Sequence, residues 1–183
     1  MKKFASVFTV MMFSVGIFAG GKFQAYLGAG QTAIANSGNA AVYSSTFETS
    51  ASAGFRYFPI ERFAIDAQYI HDTVKVGRWL SEHDFTSALP TVKYEYSTVG
   101  VYAEYWPIKD VRGGVFVFAG PQEFLSTGGL KNALGIAAGF GGQYALGKKF
   151  FLESKVAYWH VQDFAGFRVV NTYNAGVSIG LKF

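Results

Sequence analysis

GAGQTA, residues 28–33, has the glycine spacing of a dinucleotide-binding turn with alanine in the last place, and Glu48 stands near the distance at which such a turn expects its acid. That chemistry needs a helix whose N-terminus faces the phosphates, and NSGN at 36–39 interrupts one at once. Small residues in a tightly curved first strand are the simpler reading. SEHD, 81–84, holds a serine, a histidine and two acids, but a hydrolytic triad is assembled in space rather than from four neighbours. It reads as a polar loop tip. His71, Ser81 and His160 are the remaining candidates for nucleophile and base. No His-x-Ser with a suitable acid on a neighbouring strand accompanies them, because Val161 and Gln162 follow His160. Cysteine is absent, which removes thiol chemistry, disulfides and cysteine metal sites. The expectation is a protein that is not an enzyme, with no catalytic residues, no metal and no cofactor.

The charged residues that remain must be positioned by strands. In FETSASAGFRYF, Phe47, Thr49, Ala51, Ala53, Phe55 and Tyr57 share one face, and Glu48, Ser50, Ser52, Gly54 and Arg56 the other. FAIDAQYIHD sets Phe63, Ile65, Ala67 and Tyr69 against Ala64, Asp66, Gln68 and Ile70. FFLESKVAYW opposes Phe150, Leu152, Val156 and Tyr158 to Phe151, Glu153, Lys155 and Ala157, and the last eleven residues repeat the pattern up to Phe183. Segments 22–31 and 132–146 alternate with Gly, Ala and Gln, and VRGGVFVFAG is apolar on both faces, so facing stays open there. Between 91 and 105 the apolar parity changes, as it would at a bulge near Ser97 or where a strand rises out of a membrane.

Composition agrees with one folded domain: 183 residues, 50% hydrophobic, 18% aromatic and 15% charged. Disorder is excluded. The first 21 residues join two lysines, an apolar run and small residues at Ala19, Gly20 and Gly21. This is the layout of a signal peptide, and the run is too short for a membrane anchor. Its removal leaves 22–183, with 14 basic and 12 acidic residues. That balance gives no argument for nucleic acid.

Short connections at 58–62, 106–110 and 146–149 carry Pro or Gly, and longer polar ones fall near 32–45, 73–90, 121–130 and 161–170. The sum is an all-β protein, an eight-stranded antiparallel up-and-down transmembrane barrel. Hydrocarbon offers no partners to backbone N–H and C=O groups, so a sheet crosses it only when closed. Phe47, Tyr57, Phe63, Tyr105, Trp106, Phe150, Tyr158 and Tyr173 fall where aromatic girdles stand at the interfaces. Arg56, Arg112 and Lys155 would meet Asp66, Glu104 and Glu153 in the lumen, three charges of each sign. A soluble lipocalin-like barrel would alternate in the same way with its apolar face inward.

The alternation over the whole mature chain, ending in VSIGLKF, resembles the small outer-membrane β-barrel superfamily that includes OmpA transmembrane domains, OmpX, Ail-type attachment proteins and OmpW. Members end on an aromatic after alternating apolar residues, and Val177, Ile179, Leu181 and Phe183 match that assembly signal. The resemblance implies an outer-membrane address and partners among outer-membrane lipids, lipopolysaccharide, the barrel assembly machinery and periplasmic chaperones. It also implies a host or envelope ligand at the loops, where Tyr43, Phe47, Trp79, Phe85, Phe124, Phe164 and Phe167 gather. A structural or adhesion role over a plugged lumen is expected. A narrow OmpW-like conduit for small or hydrophobic solutes is the alternative, and a lipid-modifying barrel enzyme, similar in size to lipid A deacylases, stands behind it. Replacing Phe183 with Ser should leave synthesis intact and impair membrane insertion, measured by outer-membrane fractionation; normal insertion would refute the assembly role.

Overall fold

A strand sends successive side chains to opposite sides, and in this chain that rule builds one closed sheet. The structure, a computed structural model, describes residues 22–37, 42–46, 48–79, 88–110, 112–126, 132–164 and 167–183. The expected leader, residues 1–21, and the girdle residue Phe47 lie outside them. The strands are β1 (Lys22–Ser37), β2 (Val42–Thr46), β3 (Glu48–Ile60), β4 (Phe63–Trp79), β5 (Ala88–Asp110), β6 (Gly113–Ser126), β7 (Ala133–Ala145), β8 (Phe150–Phe164) and β9 (Phe167–Lys182). Both β2 and β3 pair with β4, so together they form one stave of eight. Neighbouring staves are antiparallel, and β1 pairs with β9 from Gln24↔Lys182 to Ser37↔Val170, closing the cylinder.

The apolar face points outward. Leu134 is 75% exposed, Ile136 63% and Val177 58%, whereas Arg56 and Asp66 are fully buried. A barrel that dissolves in water has the reverse arrangement, because so much exposed apolar surface has no solvent to suit it there. From Phe63 to His71 the strand rises roughly 26 Å, about 20 Å along the barrel axis at the usual tilt. That height is close to the apolar band of a membrane barrel.

The interior is crowded with rings, and glycines on neighbouring strands make room for them. A Cβ on Gly54 would run into the Tyr26 ring, one on Gly141 into Phe116, and one on Gly180 into Phe151. Such pairs explain why three segments left their facing open. Val115 and Val117 face outward, and Phe116 and Phe118 face the interior, so β6 is apolar on both sides. In β7 Ala133 and Ala137 face inward while Leu134 and Ile136 face out.

Several expected boundaries move. The register of β4 on β5 runs unbroken from Phe63↔Tyr105 to Val76↔Val92, so no bulge lies near Ser97. Tyr96 and Thr98 both face inward, so the interior itself holds an aromatic where the parity changes. The long connections begin later than expected: β4 continues to Trp79, β6 runs through Pro121 to Ser126, and only 165–166 separate β8 from β9. Residues 106–110 are strand rather than turn, with a register shift between Tyr105 and Ile108. The reversal follows Asp110, whose Oδ1 accepts from the backbone N–H of Arg112 at 2.6 Å and of Gly113 at 3.0 Å. Gly113 has a φ of +149°, a conformation costly for any side chain.

Candidate functional site in the barrel interior

Arg56 on β3 reaches the middle of the lumen, and three other staves converge on it. Its Nη1 donates to Glu153 Oε2 at 2.7 Å and its Nη2 to Glu153 Oε1 at 3.2 Å. Its Nη2 also donates to Glu104 Oε1 at 2.9 Å, with Nε 2.6 Å from Glu104 Oε2. The guanidinium fork thus meets two carboxylates, each through two oxygens. Gln24 Oε1 on β1 accepts from Nη1 at 2.9 Å and from Gln143 Nε2 on β7 at 2.9 Å. Lys155 Nζ on β8 lies 2.8 Å from Asp66 Oδ2, and the Tyr26 hydroxyl donates to the same carboxylate at 2.8 and 2.9 Å. These groups alternate with rings. The Arg56 guanidinium carbon is 5.0 Å from the centre of Phe116 and 5.3 Å from that of Trp106. Lys155 Nζ is 4.6 Å from the centre of Phe118.

Two cations therefore face three carboxylates in a layer without exposed charge. Burying a charge is tolerable only when its partners and hydrogen bonds are in place. Toward the long-loop end the layer gives way to hydrogen-bonded hydroxyls and amides and one further carboxyl group, Asp72. Tyr102 donates to Gln122 Oε1 at 2.9 Å, Tyr96 donates to Asp72 Oδ2 at 3.1 Å, and Asn174 Nδ2 donates to Thr32 Oγ1 at 2.7 Å. Among the described residues, Thr98 Oγ1, Gln122 Nε2 and Thr172 Oγ1 are buried without a partner, and Arg56 Nε makes no hydrogen bond of good geometry although it lies close to Glu104.

The structure brings Arg56, Asp66, Glu104, Glu153 and Lys155 together and leaves Arg112 out. Arg112 is exposed in the β5–β6 turn, because the strand runs four residues past Trp106 before reversing. Trp106 is also displaced from its expected place in the girdle. It is 1% exposed, stacks on Phe116 with ring centres 4.7 Å apart, and donates from Nε1 to Glu104 Oε2 at 3.1 Å. Adjacent strand residues point to opposite sides, so Tyr105 faces out and Trp106 faces in. Tyr57, Phe63, Tyr105, Phe150, Tyr158 and Tyr173 lie on the outward face. Val177, Ile179, Leu181 and Phe183 are exposed there as well. Phe124, expected beside a loop, is buried against Tyr96 and Trp159. Gln24, Tyr26 and Gln143 were not anticipated. Their shared parity with the small residues of β1 and β7 was the available signal.

Of the histidines, His71 Nδ1 lies 3.2 Å from Ser97 Oγ, which also meets the Tyr69 hydroxyl at 2.8 Å. His160 Nδ1 lies 2.7 Å from Asn171 Oδ1. Ser81 lies outside the described residues. Among the described residues no group of three His, Asp or Glu side chains could hold a metal ion.

Substituting Met for Arg56 would strand Glu104 and Glu153 without their cation. The expected loss is about 3–5 kcal/mol of unfolding free energy, read as a lower urea midpoint for the barrel refolded in lipid vesicles. An unchanged midpoint would show that the layer does not hold the staves together.

No protein-family model and no curated protein sequence matches this chain. Solved structures do match it in shape. The outer membrane protein OprG from Pseudomonas aeruginosa superposes with a TM-score of 0.64 at 10% identity, over 89% of this chain and 96% of that one. Neisserial surface protein A gives 0.63 at 14% identity, over 90% and 98%. The attachment invasion locus protein Ail of Yersinia pestis gives 0.53 at 14% identity, over 89% and 99%. With its apolar face outward and its charges enclosed, the chain has the fold of the small eight-stranded outer-membrane β-barrels.

Proposed function

We propose that this chain is exported by its leader and resides in the outer membrane as a non-enzymatic structural, adhesion or interaction protein of the cell envelope. In this reading the interior is a rigid plug, and outer-membrane lipids and lipopolysaccharide surround the wall. The barrel assembly machinery and periplasmic chaperones handle the chain during insertion, and a host or envelope ligand meets the long-loop end. The observation that carries the reading is the layer at Arg56, where charged groups and rings from β1, β3, β4, β5, β6 and β8 occupy the lumen together. A second observation supports work at the outer end. β4 and β5 stay paired to Trp79↔Ala88, roughly 26 Å further along the strand than the Tyr69–Ser97–His71 contact. The paired strands thus extend well beyond that contact.

A narrow conduit for small or hydrophobic solutes is the second reading. It is favoured by the unpaired Thr98 Oγ1, Gln122 Nε2 and Thr172 Oγ1, since buried polar atoms of this kind are where internal water binds. Deleting 80–87 separates the two readings. Lost binding to lipopolysaccharide or host surfaces, with an intact barrel and unaltered solute permeability, is expected; altered permeability would favour the conduit.

The non-enzymatic reading is tested on lipid A itself. Among the described residues, the His71–Ser97 contact is the pairing of base and hydroxyl that a deacylase reading would use. Mass spectrometry of lipid A from cells with and without the protein should show the same acyl chains. Loss of one chain only in cells that contain the protein would overturn the proposal.

A further inference from the structure

At the end that carries the short turns and Phe183, periplasmic in a barrel of this plan, the lumen opens into a vestibule of about 590 Å³. That volume falls in the range of small-molecule sites. Lys22, Lys109, Arg112, Lys148 and Lys182 line it, and Asp110 is the single acidic side chain among the lining residues. The Asp110 carboxylate is already engaged, accepting from two backbone N–H groups of the turn. Among the described residues no ion pair joins these five cations to a carboxylate. Lys109 is held in place rather than free to swing away: its Nζ donates to the Glu61 carbonyl at 2.7 Å and sits 3.5 Å from the centre of the Phe58 ring.

The vestibule floor is aromatic. Phe58 and Trp106 lie there with ring centres 5.5 Å apart, both buried beneath the opening. One layer deeper the buried side chains of the Arg56 layer fill the lumen, so an anion that enters is attracted by the cationic mouth and stopped by the packed interior. Cationic walls, an aromatic floor and a closed interior define one kind of guest.

We propose that this vestibule binds an oxyanion, a phosphate, sulfonate or carboxylate, attached to an apolar or aromatic body. The oxyanion sits among Lys109, Arg112 and Lys182, and the apolar body fills the vestibule above the buried Phe58 and Trp106 rings. Two sources supply that chemistry: a free organic anion of the periplasm, or the headgroup of an anionic phospholipid from the adjoining leaflet.

The test uses the whole barrel refolded in phosphatidylcholine nanodiscs, titrated with phenyl phosphate by calorimetry. Saturable binding is expected, weakened about tenfold or more in the Lys109→Gln/Lys182→Gln double variant and unchanged in Lys149→Gln, whose side chain does not line the vestibule. Heat-modifiable migration on gels verifies that each variant is folded, and Arg112→Gln serves if the double variant is not. Nanodiscs containing phosphatidylglycerol separate the sources. If that lipid suppresses phenyl phosphate binding, and native mass spectrometry finds it retained by the wild type but not by the double variant, the headgroup is the natural guest. If phenyl phosphate binding persists beside it, the site serves free anions. The proposal is overturned if phenyl phosphate does not bind and no phosphatidylglycerol is retained, or if binding is indifferent to loss of the lysines.

Discussion

A guanidinium taken out of water is stable only where its charge and its donors are both answered, and the interior of this barrel is organised around answering Arg56. Glu104, Glu153 and Gln24 reach it from three different strands. Phe116 and Trp106 fill the space that water would otherwise claim. Those rings are wide, and the barrel accommodates its rings by setting glycines opposite them, as Gly141 is set opposite Phe116. Backbone hydrogen bonds close the sheet, but they say nothing about which side chains fill it. The charge layer does, because a single missing partner leaves a buried ion uncompensated.

The outer face answers a different demand. Hydrocarbon accepts apolar side chains and no unpaired backbone, so the wall is smooth and closed from β1 to β9. Polar groups on that face meet one another near the long-loop end, as Tyr69, His71 and Ser97 do, and as His160 and Asn171 do further round. At the opposite end the cations gather at the mouth. The molecule is thus graded along its axis, from a basic opening through a layer of buried cations and carboxyl groups to hydrogen-bonded hydroxyls and amides around Asp72.

Much of this was legible in the sequence, and the failures share a cause. Arg56, Asp66, Glu153 and Lys155 could be placed because their strands alternate apolar with polar, and Glu104 follows from the parity of its strand. In β6 and β7 both faces are apolar, and a ring paired with a glycine leaves no contrast in hydropathy for alternation to reveal. Trp106 was misplaced because it stands beside Tyr105, although neighbours in a strand point apart. Arg112 was misplaced because Pro107 suggested a turn where the strand absorbs an irregularity and continues to Asp110. The long connections begin later than polarity alone suggests, because polar stretches at the strand ends remain paired. Beyond the membrane, paired strands no longer need an apolar face.

In the proposed reading, a lumen held by Arg56 is a wall rather than a passage. Conductance of the purified protein in planar lipid bilayers tests that most directly. The account predicts no sustained channels in the wild type; sustained channels that vanish when lumen charges are neutralised would contradict it.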